Sequence, residues 1–122
     1  MREGFAHVAV LEMADEGDTR APGGAITLAL CGGWEHEPPC PLAAHHTATE
    51  QAGDLVRLRI LFAADPSDEP EVRRRIDTAL GDGQLHGPDG TITRWRLRES
   101  RADTVAPEET AHAARLAGDP RG

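Results

Sequence analysis

At 122 residues the chain is long enough to bury about two-thirds of the surface its unfolded form would expose, and its length suits one domain, 1–122. A formal charge of -8 opposes the general electrostatic attraction that drives binding to nucleic acid or anionic membranes. No apolar run approaches the ~20 residues of a membrane span. No secretory signal is visible at the N-terminus. The expected location is cytoplasmic, where two cysteines serve more readily as thiols or ligands than as a disulfide.

The core must come from Val, Ile, Leu and Ala, because the chain has only two Phe, two Trp and no Tyr. Such a core has little surplus, and a metal staple would help it. All 13 basic residues are Arg, and Lys and Asn are absent, a pattern of GC-rich codons before it is one of function.

In chain order, Phe5 to Met13 is a short apolar run that reads as a first strand. The segment 14–24 has no periodicity and reads as a loop. In 25–31 the residues Ile26, Leu28 and Leu30 alternate, which predicts a second strand ending at Cys31. Pro38, Pro39 and Pro41 forbid regular structure in the segment that follows. Pro41 at a first turn and Gly53 at a C-cap would permit a short helix around 46–50, but Thr47 and Thr49, then Gln-Ala-Gly-Asp, better suit a hairpin leading into the clearest strand, 55–64. There Val56, Leu58, Ile60 and Phe62 share one face, and Arg57 and Arg59 the other.

Residues 68–81 predict the clearest helix. Ser67 or Asp68 can cap it, Pro70 suits its first turn, and Val72, Ile76, Ala79 and Leu80 form one apolar stripe. Gly81-Asp82-Gly83 stops it, and 84–90 reads as a turn-rich loop. The last strand is 91–99, with Trp95 and Leu97 inward and Arg94, Arg96 and Arg98 outward. A terminal helix over 107–117 is mostly Ala on its apolar side, so weak docking is expected, and 118–122 reads as a disordered tail.

The pattern predicts an α+β fold: an antiparallel or mixed sheet of four to five strands, one main helix on one face and a short C-terminal helix. A ferredoxin-like arrangement would fit, except that a helix between the first two strands is missing. The 55–64 strand, 68–81 helix and 91–99 strand would form a crossover if those strands run parallel.

The chemistry is concentrated between Cys31 and His46, which holds both cysteines and three of the six histidines. Thiolate and imidazole are the donors preferred by zinc and copper(I). Cys31, His36, Cys40 and one of His45 and His46 would supply a tetrahedral shell for Zn2+, with Cu+ or another soft metal as the alternative. On a strand, His45 and His46 point to opposite faces, so one of them is spare. Glu35 and Glu37 flank His36 and can orient a bound imidazole, or serve as general base beside a metal-bound water in an open site. A Cys31–Cys40 disulfide, a Cys-His nucleophile pair and a plain exposed loop are the competing readings. His7, His86 and His112 lie apart and read as structural.

Two expectations about function follow. The first is a metal-binding accessory or interaction module, with a small zinc enzyme as its alternative. The second is a basic sheet face of Arg57, Arg59, Arg94, Arg96 and Arg98 that docks an anion or an acidic partner, which requires the two strands to be neighbours. A homo-oligomer or protein partner fits either; a membrane or nucleic-acid partner does not.

Overall fold

The described chain runs β1 (Glu3–Met13), α1 (Ala21–Cys31), β2 (Ala44–Ala52), β3 (Leu55–Ala64), α2 (Glu69–Asp82), β4 (Gln84–His86), β5 (Ile92–Asp103) and α3 (Thr110–Gly118). The computed structural model describes residues 2–13, 18–31, 44–86 and 90–118.

The sheet order is β2-β3-β1-β5-β4, and every neighbouring pair is antiparallel. It follows that β1 and β2 run parallel with β3 between them, and β3 and β5 run parallel with β1 between them. Each of these parallel pairs is joined through a helix. This is the split βαβ pattern of the ferredoxin-like order, with β4 added at one edge.

The main core lies between the sheet and α1 with α2. Ala9, Leu11 and Met13 of β1, Val56, Leu58, Ile60 and Phe62 of β3 and Trp95 of β5 pack with Ile26 and Leu30 of α1 and Val72, Ile76 and Leu80 of α2. Register explains the alignment: Leu11 stands opposite Val56, Ala9 opposite Leu58 and Phe5 opposite Phe62. The opposite face carries a smaller apolar set, Ala6, Val8, Leu61 and Ala63, all buried. Part of this face is covered by α3. Ala113 fits against Gly4 so closely that a Cβ at Gly4 would stand 2.8 Å from the Ala113 Cβ.

Where the strand reading of 25–31 expected alternation, the chain is helical, and the helix reaches back over 21–24 into the supposed loop. The run is apolar on every side, and a short apolar run has no period that separates a buried strand from a buried helix. Ile26 and Leu30 are spaced i, i+4, and both are fully buried on one helical face. Pro22 sits in the first turn, where its missing N–H is harmless. Just before it, Asp18 accepts the Arg20 backbone N–H at 2.9 Å and shapes the entry. This helix is the one that seemed missing from a ferredoxin-like order, so two helices, not one, share the covered face.

Three smaller corrections follow. Part of the 84–90 loop is a strand, β4, paired with β5. The predicted caps of α2 are not used: a 3-10 turn over Pro66–Asp68 leads in, and Asp68 makes no side-chain capping bond. The last strand runs on to Asp103 through a bulge, where Val10 faces Glu99 but Leu11 faces Leu97. The extra residue shifts the parity, so Ser100 turns to the α2 side. The expected tail beyond Gly118 lies outside the described residues.

Candidate metal centre

Two elements deliver the ends of the Cys/His segment. α1 ends at Cys31 and β2 begins at Ala44, while Glu35, His36, Glu37 and Cys40 lie outside the described residues. β2 pairs with β3 throughout, with His45 opposite Phe62 and His46 opposite Leu61. The alternation of the strand therefore sends the two histidines to opposite faces.

His45 is on the helix side. Its Nε2 lies 3.0 Å from the Thr27 hydroxyl. Thr27 is one helical turn before Cys31 on α1, so the bond fixes β2 against the part of the helix that leads into the segment. One turn earlier again, Gly23 faces Thr47, where a Cβ would meet the Thr47 side chain at 3.6 Å, an ordinary van der Waals distance. His46 is on the other face, its ring centroid 4.8 Å from that of His112 in α3. Cys31, through its helix, and His45 thus belong to one side of the sheet, and His46 to the other. Among the described residues no group of three or more His, Cys, Asp and Glu side chains is placed to hold a metal ion.

A second polar cluster was not legible in the sequence. His7 is only 2% exposed. Its Nδ1 accepts from Arg73 Nη1 at 3.0 Å, and its Nε2 lies 2.7 Å from Ser100 Oγ. Ser100 in turn bonds Asp77. Guanidinium can only donate, so Nδ1 is the acceptor and Nε2 carries the proton. The chain of donation then runs Arg73 to His7 to Ser100 to Asp77. The imidazole has no lone pair left for the serine, so this Ser, His and Asp do not form a nucleophile and its base. Burial pushes the His7 pKa down, which Asp77 partly opposes and Arg73 reinforces. Arg73 also donates to Glu69 at 2.8 Å and to the Ala6 carbonyl at 2.8 Å, with its guanidinium over the Phe62 ring. The cluster pins α2 across β1 and β5. Only the bulge in β5, which pattern reading does not register, puts Ser100 there.

The arginine face is broken up. β3 and β5 are not neighbours; β1 lies between them. Arg59 is held by Glu109 and Asp103, Arg98 by Glu12, and Arg101 by Glu99. The carboxyl groups beside Arg59 hold its guanidinium even more firmly protonated than usual, and Arg59 holds Glu109 and Asp103 below the ordinary carboxylate range. Arg57, Arg94 and Arg96 form no ion pair among the described residues. A hollow of about 440 Å3 beside Arg94 and Arg96 is also lined by Glu12 and Asp54, and those carboxylates oppose an incoming anion.

No family model matches this chain, and no curated protein matches it. Among the described residues no helix is long and apolar enough to cross a membrane.

Proposed function

We propose that residues 31–46 bind a transition metal, zinc before copper(I), in a closed shell of Cys31, His36, Cys40 and His45. The protein is then a small zinc-stapled accessory or interaction module. Composition supports this reading: sixteen residues hold two Cys and three His, while the other 106 of 122 hold no Cys and three His. The observation that carries the choice of fourth donor is the Thr27–His45 bond at 3.0 Å. The Thr27 hydroxyl at His45 Nε2 fixes ring orientation as partners of metal-bound imidazoles do. His46 faces away, against His112, and serves in packing. Four donors with none to spare favour a closed structural site over an open one with Glu35 or Glu37 as base.

Elemental analysis of untagged protein, combined with thiol titration, tests the proposal. Close to one zinc per chain, with both thiols protected until a chelator is added, is the expected result. Freely titrating thiols and a strongly substoichiometric metal content would overturn it.

A further inference from the structure

The two edges of the sheet are built differently. One ends in the three-residue β4, beside a bulged β5 that carries Arg94, Arg96 and Arg98. Short edge strands, bulges and cationic side chains are the usual means of stopping a sheet from recruiting another strand. The other edge is β2, nine residues long, with the sequence Ala-His-His-Thr-Ala-Thr-Glu-Gln-Ala. It has no Arg, no Pro and one carboxylate, and it is exposed from Ala48 to Ala52. Among the described residues β3 covers one side of it and no strand covers the other. Its outer row of N–H and C=O groups is a template for another strand.

We propose that β2 pairs antiparallel with β2 of a second copy of this chain, about a two-fold axis at Ala48. The strand is self-complementary about that residue. Ala48 meets Ala48, Thr47 meets Thr49, His46 meets Glu50, His45 meets Gln51 and Ala44 meets Ala52, each in both directions, as a two-fold interface requires. The His46 ring can donate to the Glu50 carboxylate of the second copy, and no like charges face each other. A separate observation points the same way. The Thr47 hydroxyl is buried and has no hydrogen-bond partner among the described residues. In this register Thr49 of the second copy stands beside it, and a turn about χ1 joins the two hydroxyls, a favoured cross-strand pair. A shift of the register by one residue would lose all of these matches and turn each side chain toward a partner of the wrong face.

The full chain, as purified, tests this by sedimentation velocity and by cross-linking. The expected result is a dimer. Ala48→Glu, at an exposed position, sets two carboxylates against each other on the axis and should weaken the dimer by up to about fivefold. Gln84→Glu at the far edge should leave it unchanged. Residues directly opposed across antiparallel strands stand about 4.5–5.5 Å apart at Cα, within disulfide range. Ala48→Cys should therefore cross-link between copies on oxidation, and Glu50→Cys, which faces His46, should not exceed the unsubstituted chain. A monomer at all concentrations, a dimer indifferent to Ala48→Glu, or equal cross-linking of the two cysteine variants would each overturn the proposal.

Discussion

Arg59 grips Glu109 with two bonds, Nε donating to Oε2 at 2.6 Å and Nη2 to Oε1 at 2.7 Å. The same guanidinium donates to Asp103 at 2.8 Å and to the Thr104 carbonyl at 2.9 Å. Glu109 Oε1 also accepts the Ala106 N–H at 2.9 Å and so shapes the turn that starts α3. One sheet arginine thereby fixes a helix whose own apolar side is mostly alanine. The side chains are 24% and 18% exposed, so the pair is screened less than a fully solvated one.

Arg59→Ala is expected to cost about 1–2 kcal/mol, in the range of hydrogen bonds to charged groups. The loss should be local. Hydrogen exchange at α3 amides should accelerate, with β1 and β3 close to unchanged. Glu109→Gln should cost less, since Asp103 still holds Arg59. Uniform loss of protection across the sheet would contradict this role for the pair.

His7 gives stability a pH dependence with a definite sign. Its folded pKa lies below the unfolded value of 6.5. The unfolded chain therefore binds the proton first as pH falls, and the folded state is disfavoured. The contribution of neutral His7 is fully present above pH 6.5. It is lost as pH drops from there through the lower folded value. Below that value it changes no further. Denaturant midpoints of the wild type should fall between pH 7 and 5 more steeply than those of His7→Gln, which has no proton to take up. Parallel slopes in the two proteins would place the pH sensitivity elsewhere.

Legibility in the sequence followed the periodicity. β3 carried Val56, Leu58, Ile60 and Phe62 against Arg57 and Arg59, and its bounds came out as read. The α2 stripe of Val72, Ile76 and Leu80 was equally plain. The hairpin at Gly53 placed β2 and, with it, the split of His45 from His46. α1 is not legible by periodicity, because Ile26, Leu28 and Leu30 fit a period of two as well as Ile26 and Leu30 fit a helical turn. Gly23 and Gly24 have the look of loop chemistry, whereas both lie inside α1, where Gly23 faces Thr47. Apolar content alone does not register the Arg59–Glu109 pair that holds the start of α3, because residues fifty apart leave no local signal. The His36–Cys40 part of the candidate site lies outside the described residues.

Two glycines at the end of α2 should respond to alanine with opposite signs. Gly81 is helical, and a Cβ there meets nothing within 4 Å. Gly81→Ala should stabilise by about 0.5–1 kcal/mol through helix propensity and a less free unfolded chain. Gly83 ends the helix at φ 75°, donates its N–H to the Leu80 carbonyl at 3.2 Å, and would bring a Cβ to 2.9 Å from the Trp95 carbonyl. Gly83→Ala combines a left-handed backbone with a clash against main chain, and about 2 kcal/mol of destabilisation is expected. Thermal unfolding of the two variants side by side reads the sign directly. Equal shifts would mean that the turn at Gly83 relaxes freely.

The proposed metal centre separates two histidines that composition alone would group, His45 and His46, and gives Thr27 a part that composition does not suggest. His45→Ala removes a donor, so zinc affinity should collapse and the thiols of Cys31 and Cys40 should become reactive. His46→Ala removes a ring packed on His112 on the opposite face, so zinc affinity should stay as it was. Thr27→Val keeps the shape of the side chain and deletes only the hydroxyl that holds His45 Nε2. Loss of such an orienting bond typically weakens metal binding by about 10–100-fold. The apo form of Thr27→Val should unfold close to the wild type, which keeps the affinity change from being a folding effect. Competition against a chromogenic zinc chelator measures all three variants. If His46→Ala weakens zinc as much as His45→Ala does, the assignment of His45 as the fourth donor fails.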